Sequence, residues 1–242
     1  MKKSRKKIFL IVLMSLLLII AIVFINFLPI LSMKPVDTGE VSGTDVIAIK
    51  NNSNNLFLIE TDDGYIVIDA GSDADKVEKS LGEMSVDIKQ IRYVFLTHTD
   101  YDHVAAISSF TDAQIFVSED ELQMLDGNTK RNLFSRNSLP SEINMSSLVL
   151  LSDEQEIDLG GHIMQCIETP GHTPGSMSFL LDEKYLFTGD AVMVKNNTMG
   201  VHPFTMDKET AESSMKRIDE ILDRSQFIFT AHYGYYEADK MK

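Results

Sequence analysis

The chain has 242 residues, and its 36 Asp and Glu residues outnumber its 22 Lys and Arg residues to give a formal net charge of −14. Because nucleic acid binds positively charged surfaces, this acidic balance excludes nucleic acid as a partner. The single cysteine, Cys166, excludes an internal disulfide and lies in a strand-like segment where a small buried side chain is expected.

The first predicted element is an apolar helix at the N-terminus. Five basic residues within positions 1–7 precede residues 8–28, which carry no charge. A run of about 21 such residues is long enough to cross a hydrocarbon core of about 30 Å. The pattern predicts an uncleaved, single-pass membrane anchor, with its basic end inside and the domain outside the cytoplasmic membrane. The alternative is a secreted protein released by signal cleavage, but no small-residue cleavage pattern follows the run.

The chain after the anchor reads as a short linker and one domain. Residues 1–31 are the basic segment and anchor, residues 32–43 are the linker, and residues 44–242 are long enough to bury a core. Apolar runs bounded by turn residues predict strands at 44–50, 55–61, 65–69, 91–96, 114–117, 148–151, 155–159, 163–168, 178–181, 185–188 and 227–230. Apolar residues at helical spacing and their flanks predict helices at 75–84, 104–110, 119–126 and 207–222.

Four side chains that can bind a metal follow the strand at 91–96. They are His98, Asp100, Asp102 and His103. Imidazole and carboxylate groups are the ligands of zinc, iron and manganese centres. His98 and Asp100 are two residues apart in extended chain and point to the same side, while Asp102 and His103 follow as the chain turns into a helix. Two ligand pairs separated by a turn can hold two metal ions.

Three more candidate ligands lie at the ends of other strands. His172 lies in a Pro- and Gly-rich turn at 169–176, Asp190 ends an apolar strand, and His232 follows another. Rigid turns at strand ends fix the direction of a side chain. Four strands therefore deliver ligands at one end, which is how a rigid scaffold builds a metal site.

The other candidate residues carry weaker signals. His162 starts a strand after two glycines, which favours a surface position over metal binding. His202 follows the Asp190 strand by a loop and could contact a substrate. In the insertion at 127–147, Phe134, Leu139 and Ile143 could line a substrate pocket, although simple packing is favoured.

These motifs, in this order, resemble the metallo-β-lactamase superfamily. The matching segments are 55–71, 98–103, 169–176, 188–190 and 231–234, within about residues 44–236. The resemblance implies an α+β fold, an αββα sandwich, here preceded by one transmembrane helix. It also implies two metal sites. Site one takes His98, Asp100 and His172, site two takes Asp102, His103 and His232, and Asp190 bridges the two. Asp69, at the end of the strand at 65–69, then supports the ligands rather than binding a metal.

Asp100 departs from the family pattern, His-x-His-x-Asp-His, which has a second histidine at that position. A hard carboxylate there lowers the charge of the site by one unit and favours manganese or iron more than imidazole does. The flavodiiron branch, which has Glu at this position, binds iron. Asp190 resembles the bridging Asp of thioesterases, lactonases and phosphodiesterases in the family. Members that hydrolyse antibiotics often have Cys at this position instead.

The resemblance implies a hydrolase, and the N-terminal apolar run predicts that it is anchored in a membrane. A metal-bound hydroxide at two divalent ions, zinc first and iron or manganese as alternatives, would cleave a small-molecule ester, thioester, lactone or phosphodiester. Asp102 would act as the catalytic carboxylate that orients the nucleophile. Two alternatives remain open: a flavodiiron-like redox protein, and a sensor module that binds metal without catalysis.

Overall fold

The computed structural model describes residues 2–131 and 137–241, so the predicted role of Phe134 lies outside the described residues. The chain divides into two compact units, Met1–Met33 and Lys34–Lys242. The helices are α1 (Lys2–Phe27), α2 (Ala74–Glu83), α3 (Tyr101–Val104), α4 (Leu122–Leu125) and α5 (Lys208–Leu222). The strands are β1 (Gly39–Glu40), β2 (Val46–Asn51), β3 (Asn54–Thr61), β4 (Gly64–Ile68), β5 (Ile91–Phe95), β6 (Gln114–Ser118), β7 (Val149–Leu151), β8 (Glu156–Asp158), β9 (Ile163–Glu168), β10 (Met177–Leu181), β11 (Tyr185–Phe187), β12 (Val192–Lys195), β13 (Thr198–Val201), β14 (Phe227–Thr230) and β15 (Gly234–Glu237).

The N-terminal unit holds α1 and a short 3₁₀ helix, Leu28–Ser32. The sequence predicted that this segment crosses a membrane, and that prediction is wrong. A crossing needs a helix with about 20 consecutive apolar residues. Over residues 2–131 and 137–241, none of the helices meets the length and apolarity that a crossing requires. The fold prediction is therefore corrected: residues 2–131 and 137–241 form a mixed α/β fold, and anchoring in a membrane through an N-terminal helix is not supported.

Two large sheets build the second unit. Among the described residues, one sheet has seven strands in the order β1 to β7, and the other has six in the order β15-β14-β11-β10-β9-β8. The strands β4, β5, β6 and β7 run parallel to one another. Strands with neighbours on both sides and cover on both faces are near-continuous apolar runs, and β5 is apolar except for the exposed Arg92 near its start.

The main core lies between the two sheets and is rich in phenylalanine. Phe57 of β3 packs on Phe187 of β11 and Phe229 of β14, with ring centroids 5.5 and 5.2 Å apart. Phe95 of β5 lies 5.2 Å from Phe179 of β10 in an edge-on contact. Edge-to-face and offset aromatic pairs at these distances add to the gain from burial. The two sheets therefore pack face to face, joined by rings from the central strands of each.

Helices cover the outer faces of both sheets. Val77 and Leu81 of α2 are buried with the outward side chains of the first sheet. Ile218 and Leu222 of α5 are buried against Leu180, Leu186 and Ile228 of the second sheet. The structure thus has four layers: helices, sheet, sheet and helix.

The insertion at 127–147 and Cys166 also contribute to packing. Leu139 and Ile143 lie partly buried against the outer face of the first sheet, so the packing interpretation of these two residues is confirmed. Cys166 lies in the core between the sheets, where burial raises the pKa of its thiol to about 12. An apolar, protonated thiol of this kind is a packing residue.

Candidate metal centre

The strands that carry the predicted ligands end at one edge of the fold. Strands β11 and β14 are parallel, with Phe187 opposite Phe229, and Asp190 and His232 each follow three residues later along the chain. His98 follows Phe95, the last residue of β5, by the same interval. Because parallel strands in register end at the same level, these loops bring their side chains together.

The first ligand group consists of His98, Asp100 and His172. Oδ2 of Asp100 lies 3.4 Å from Nε2 of His98 and 3.1 Å from Nε2 of His172. Each residue offers one ligand atom, and the three atoms lie within 4.8 Å of one another. Both imidazoles are buried, and the carboxylate is partly buried. This spacing fits three donors around one ion.

The second group consists of Asp102, His103 and His232. Oδ2 of Asp102 lies 4.0 Å from Nε2 of His103 and 3.4 Å from Nε2 of His232. Their ligand atoms also lie within 4.8 Å of one another. The side chain of Asp102 is 36% exposed, so it is open to solvent where the two histidines are buried.

Asp190 lies between the two groups. Its Oδ2 is 3.5 Å from Nε2 of His172 in the first group. The same oxygen is 3.2 Å from Nε2 of His232 and 3.7 Å from Nε2 of His103 in the second. A carboxylate within reach of both groups has the position that a bridging ligand requires.

Hydrogen bonds at the far side of three imidazoles fix their orientation. Nδ1 of His103 lies 2.8 Å from Oδ2 of Asp69, and Nδ1 of His232 lies 2.7 Å from the carbonyl oxygen of Ser53. Nδ1 of His98 lies 3.1 Å from the hydroxyl of Thr97, which in turn donates to Asp69. When Nδ1 carries the hydrogen, the lone pair of Nε2 faces the centre.

Asp69 therefore supports the ligands, as the family resemblance implied. Its Oδ1 accepts a hydrogen bond from the backbone N–H of Thr97 at 2.8 Å, while its Oδ2 holds His103. Its φ is +62°, in the left-handed region that non-glycine residues adopt infrequently. A backbone conformation of this kind persists where the surrounding contacts hold it, and here those contacts orient two ligand histidines.

Buried polar atoms in the centre fit a divalent cation. Nε2 of His98, Nε2 of His103 and Oδ1 of Asp190 are buried and have no hydrogen-bond partner among the residues that the structure describes. An unsatisfied buried polar group costs about 1–3 kcal/mol. All three are metal donors that face one cluster, so a bound cation would satisfy them together.

The carboxylates of Asp190 and Asp100 stay ionised. Burial by itself would raise the pKa of Asp190, but His202 and His232 beside it hold that pKa well below its usual range. Burial would also raise the pKa of Asp100, but the imidazoles of His172 and His98 beside it hold that pKa well below its usual range. Both groups therefore present anionic oxygen donors at neutral pH.

Two imidazoles differ in protonation. Burial lowers the pKa of His172 to about 3, so its ring is neutral at pH 7 and has a free lone pair. Burial opposes a charge on His103 as well, but the carboxylates of Asp69 and Asp102 raise its pKa to about 10. A metal ion that binds His103 has to displace a proton, so binding releases protons.

Arg131 and Asn137 are site residues that the sequence patterns missed. Nε of Arg131 donates to Oδ1 of Asp100 at 3.0 Å, and its Nη2 contacts the other carboxylate oxygen. The same Nη2 lies 2.8 Å from Nε2 of His172. Nδ2 of Asn137 donates to Oδ1 of Asp100 at 2.9 Å. One lone pair on His172 cannot serve both a guanidinium and a metal ion, so Arg131 has to withdraw from His172 when an ion binds there.

Glu121, also missed, joins the two loops of the first group. Its buried Oε1 accepts from the N–H and hydroxyl of Thr99 at 2.8 and 2.7 Å. Its Oε2 accepts from the hydroxyl of Thr173 at 2.7 Å and from the N–H of Gly175 at 3.2 Å. A Cβ at Gly175 would collide with the backbone of Glu121, so only glycine permits this approach.

We expect Glu121→Gln to lower the free energy of unfolding by about 1–3 kcal/mol. The amide NH₂ has no acceptor function, so a donor now satisfied by one carboxylate oxygen, such as the N–H of Gly175, loses its partner. Urea titration of the full chain measures the change. Glu119→Gln is the matched control because Glu119 is exposed and two positions away. Equal stability of the two variants would contradict the role of Glu121.

Comparison with known proteins identifies the family. The sequence model of the metallo-beta-lactamase superfamily matches residues 50–230, well over half of the chain. The chain belongs to the metallo-beta-lactamase superfamily. The resemblance carried by the strand-end motifs is therefore confirmed.

Relatives in the superfamily include hydrolases. The probable polyketide biosynthesis zinc-dependent hydrolase PksB of Bacillus subtilis (strain 168) is 30% identical over 148 residues, which are 59% of this chain and 57% of PksB. The chain thus spans less than two thirds of the length of PksB. The N-acyl homoserine lactonase AiiA of Bacillus thuringiensis subsp. kurstaki is 24% identical over 207 residues, which are 73% of this chain and 79% of AiiA. A beta-lactamase from Chitinophaga pinensis has the same fold, with a TM-score of 0.65, 24% identity, and coverage of 82% of this chain and 78% of that one.

His162 and His202, the two histidines outside the predicted ligand set, lie in different places. His162 pairs with Asp182, with Nδ1 2.6 Å from Oδ2, and it belongs to none of the ligand groups found among the described residues. His202 is buried at the centre, where its ring centroid lies 4.9 Å from that of His172. The sequence left a substrate contact of His202 open without favouring it, and the structure buries its ring among the candidate ligands.

Proposed function

We propose that the protein is a metal-dependent hydrolase that cleaves a small-molecule ester, thioester, lactone or phosphodiester at a dinuclear centre. The observation that carries the proposal is the position of Asp190, whose Oδ2 lies 3.5 Å from His172 in one group and 3.2 Å from His232 in the other. Site one uses His98, Asp100 and His172. Site two uses Asp102, His103 and His232, and Asp190 bridges them.

The side chains of the centre have different roles in the proposed hydrolysis. Divalent ions held by these groups would supply a Lewis acid and would lower the pKa of a water molecule bound to them. Asp102 orients the attacking water and accepts its proton, because it is the ligand carboxylate that is 36% exposed and therefore meets incoming solvent and substrate. Asp100 and Asp190 are more buried and stay anionic, which keeps them as ligands. Asp69 and Thr97 hold the imidazoles of His98 and His103 in place.

Zinc is the first choice of metal, with iron or manganese as alternatives. The relative PksB is named as a zinc-dependent hydrolase. Three of the seven proposed ligands are carboxylates: Asp100, Asp102 and Asp190. Carboxylate-rich sites accept manganese and iron more readily than imidazole-rich sites do. The relative AiiA is named as a lactonase, which supports including lactones among the proposed substrates.

The test uses the full-length protein, purified after growth with zinc, iron and manganese supplied together. We expect two metal ions per chain by elemental analysis. We also expect turnover of at least one of four probes: a p-nitrophenyl ester, an acyl thioester, an acyl lactone and bis(p-nitrophenyl) phosphate. A chelator should abolish turnover, and the native metal should restore it. Metal binding without turnover of any probe would favour a sensor, and bound iron with oxygen consumption would favour a redox protein.

A further inference from the structure

His202 is a buried imidazole with unsatisfied nitrogens. Its relative exposure is 2%, and neither Nδ1 nor Nε2 has a hydrogen-bond partner among the described residues. A neutral imidazole has one N–H donor and one acceptor, and burying both without a partner is unfavourable because each loses its hydrogen bond to water. A role in packing alone does not explain this cost, because an apolar ring would fill the same space without it.

The hairpin of β12 and β13 positions His202 beside Asp190. Strand β12 begins two residues after Asp190, and Val192 pairs with Val201. The residues just outside this pair, Ala191 and His202, are therefore brought back to the same end of the hairpin. Val192 is fully buried in the outer core of the second sheet, which anchors the hairpin. The chain thus leaves the centre at Asp190 and returns to it at His202.

His202 belongs to a third ligand group with His172 and Asp190. The three residues each offer a ligand atom, these atoms lie within 4.8 Å of one another, and all three residues are buried. Nε2 of His202 lies 3.8 Å from Oδ2 of Asp190, which is longer than a hydrogen bond. Donor atoms that bind one metal ion each lie about 2.0–2.2 Å from the ion, so the two donors lie farther from each other than hydrogen-bonded atoms do. The separation between His202 and Asp190 therefore fits two donors that share one cation.

We propose that His202 is a metal ligand that shares the ion of site one with His172 and Asp190. This inference rests on the proposed metal centre. Asp100 replaces the second imidazole of the family motif, and His202 supplies an imidazole from a different part of the chain. A substrate contact fits the geometry less well, because a side chain that is 2% exposed has almost no surface to offer, whereas Asp102 is 36% exposed.

Two variants of the full-length chain test the proposal. His202→Ala removes the donor and leaves a cavity, while His202→Phe removes the donor and keeps a ring of similar size. With Zn²⁺ as the probe, we expect both variants to bind one of the two ions at least about 100-fold more weakly in competition with a chromophoric chelator, since even partners that only orient a ligand are worth 10–100-fold. The Co²⁺-substituted variants should also lose absorption from one site. His162→Ala, which removes a surface histidine outside the centre, should match the parent.

The outcomes separate this inference from the proposed function. If the parent binds two ions and His202→Phe binds both with the parent's affinity and Co²⁺ spectrum, His202 is not a ligand and the proposed function stands. If kcat/KM falls in that variant while metal content and spectrum stay unchanged, His202 contacts substrate and the inference is overturned. If the parent itself binds no metal, the proposed function and the inference both fail.

Discussion

His232→Ala and His172→Ala should each lower kcat/KM by about a thousandfold or more and reduce the metal content of the purified protein. Each change deletes one ligand, from site two and site one respectively, and leaves Asp190 without one of its imidazole neighbours at 3.2 and 3.5 Å. A thousandfold corresponds to about 4 kcal/mol of transition-state stabilisation, within the several kcal/mol that a Lewis acid supplies. Elemental analysis and kinetics on the most active probe measure both effects.

His162→Ala is the matched control for these two variants. His162 is also a histidine at the start of a structural element, but it pairs with Asp182 and with the carbonyl oxygen of Glu60, and it is partly exposed. Its removal should leave metal content and kcat/KM at the parent's values. Loss of metal from His162→Ala equal to that from His232→Ala would mean that the ligand set has been chosen wrongly.

The sequence could propose candidate ligands because they lie in the loops that follow apolar strands, and the structure brings these side chains together. The predicted strand 91–96 corresponds to β5, Ile91–Phe95, and His98 lies three residues after its end. The predicted helix 207–222 corresponds to α5, Lys208–Leu222, capped by Asp207, whose side chain accepts from the N–H of Thr210 at 3.1 Å. Strand ends and helix caps depend on a few consecutive residues, so they can be predicted from the sequence.

Contacts between distant segments could not be predicted in the same way. Arg131 reaches Asp100 from 31 residues away, and Glu121 reaches Thr173 from 52 residues away. Nothing beside either residue in the sequence marks it as part of the centre. The hairpin of β12 and β13 was not predicted because each of its strands has only four residues, so His202 had no predicted partner.

The N-terminal prediction failed for another reason. The apolar run at 8–28 and the five basic residues before it were judged by composition alone. Composition gives a candidate for a membrane crossing, but over the described part of the chain no helix has the length and apolarity of a crossing. The candidate ligands at the strand ends, in contrast, lie close to one another in the structure, and their metal binding stays a prediction.

The charge of site one is balanced by Arg131. Asp100 adds a carboxylate where the family motif has imidazole, and the guanidinium of Arg131 pairs with both oxygens of that carboxylate. Asn137 donates to Oδ1 as well. Neutralising partners of this kind offset the repulsion among the three ligand carboxylates. Arg131 therefore offsets the negative charge of Asp100. For this reason the effect on metal binding of a substitution at position 100 has to be compared with the effect of one at position 131.

Asp100→Ala should lose the ion of site one, because a methyl group supplies no donor, and should lower kcat/KM by about a thousandfold or more. Arg131→Ala is its control: it removes the same ion pair but keeps the carboxylate, which Asn137 still holds, so both ions should remain bound. Removing the cation beside Asp100 and the competitor for Nε2 of His172 should even tighten site one by about tenfold. Chelator competition on both variants measures these changes. Two ions bound to Asp100→Ala with the parent's affinity would mean that Asp100 is no ligand.

Asp100→His tests the choice of metal. Imidazole in place of carboxylate should keep two ions bound but shift the preference toward zinc when zinc, iron and manganese are supplied together, because imidazole is the softer donor. The same change leaves Arg131 without its carboxylate partner, so the comparison is made in the background of Arg131→Ala, where that pair is already absent. Elemental analysis of Asp100→His/Arg131→Ala against Arg131→Ala gives the ratio of zinc to the other two metals. An unchanged ratio would mean that the donor at position 100 does not set the metal preference, and that the carboxylates of Asp102 and Asp190 set it instead.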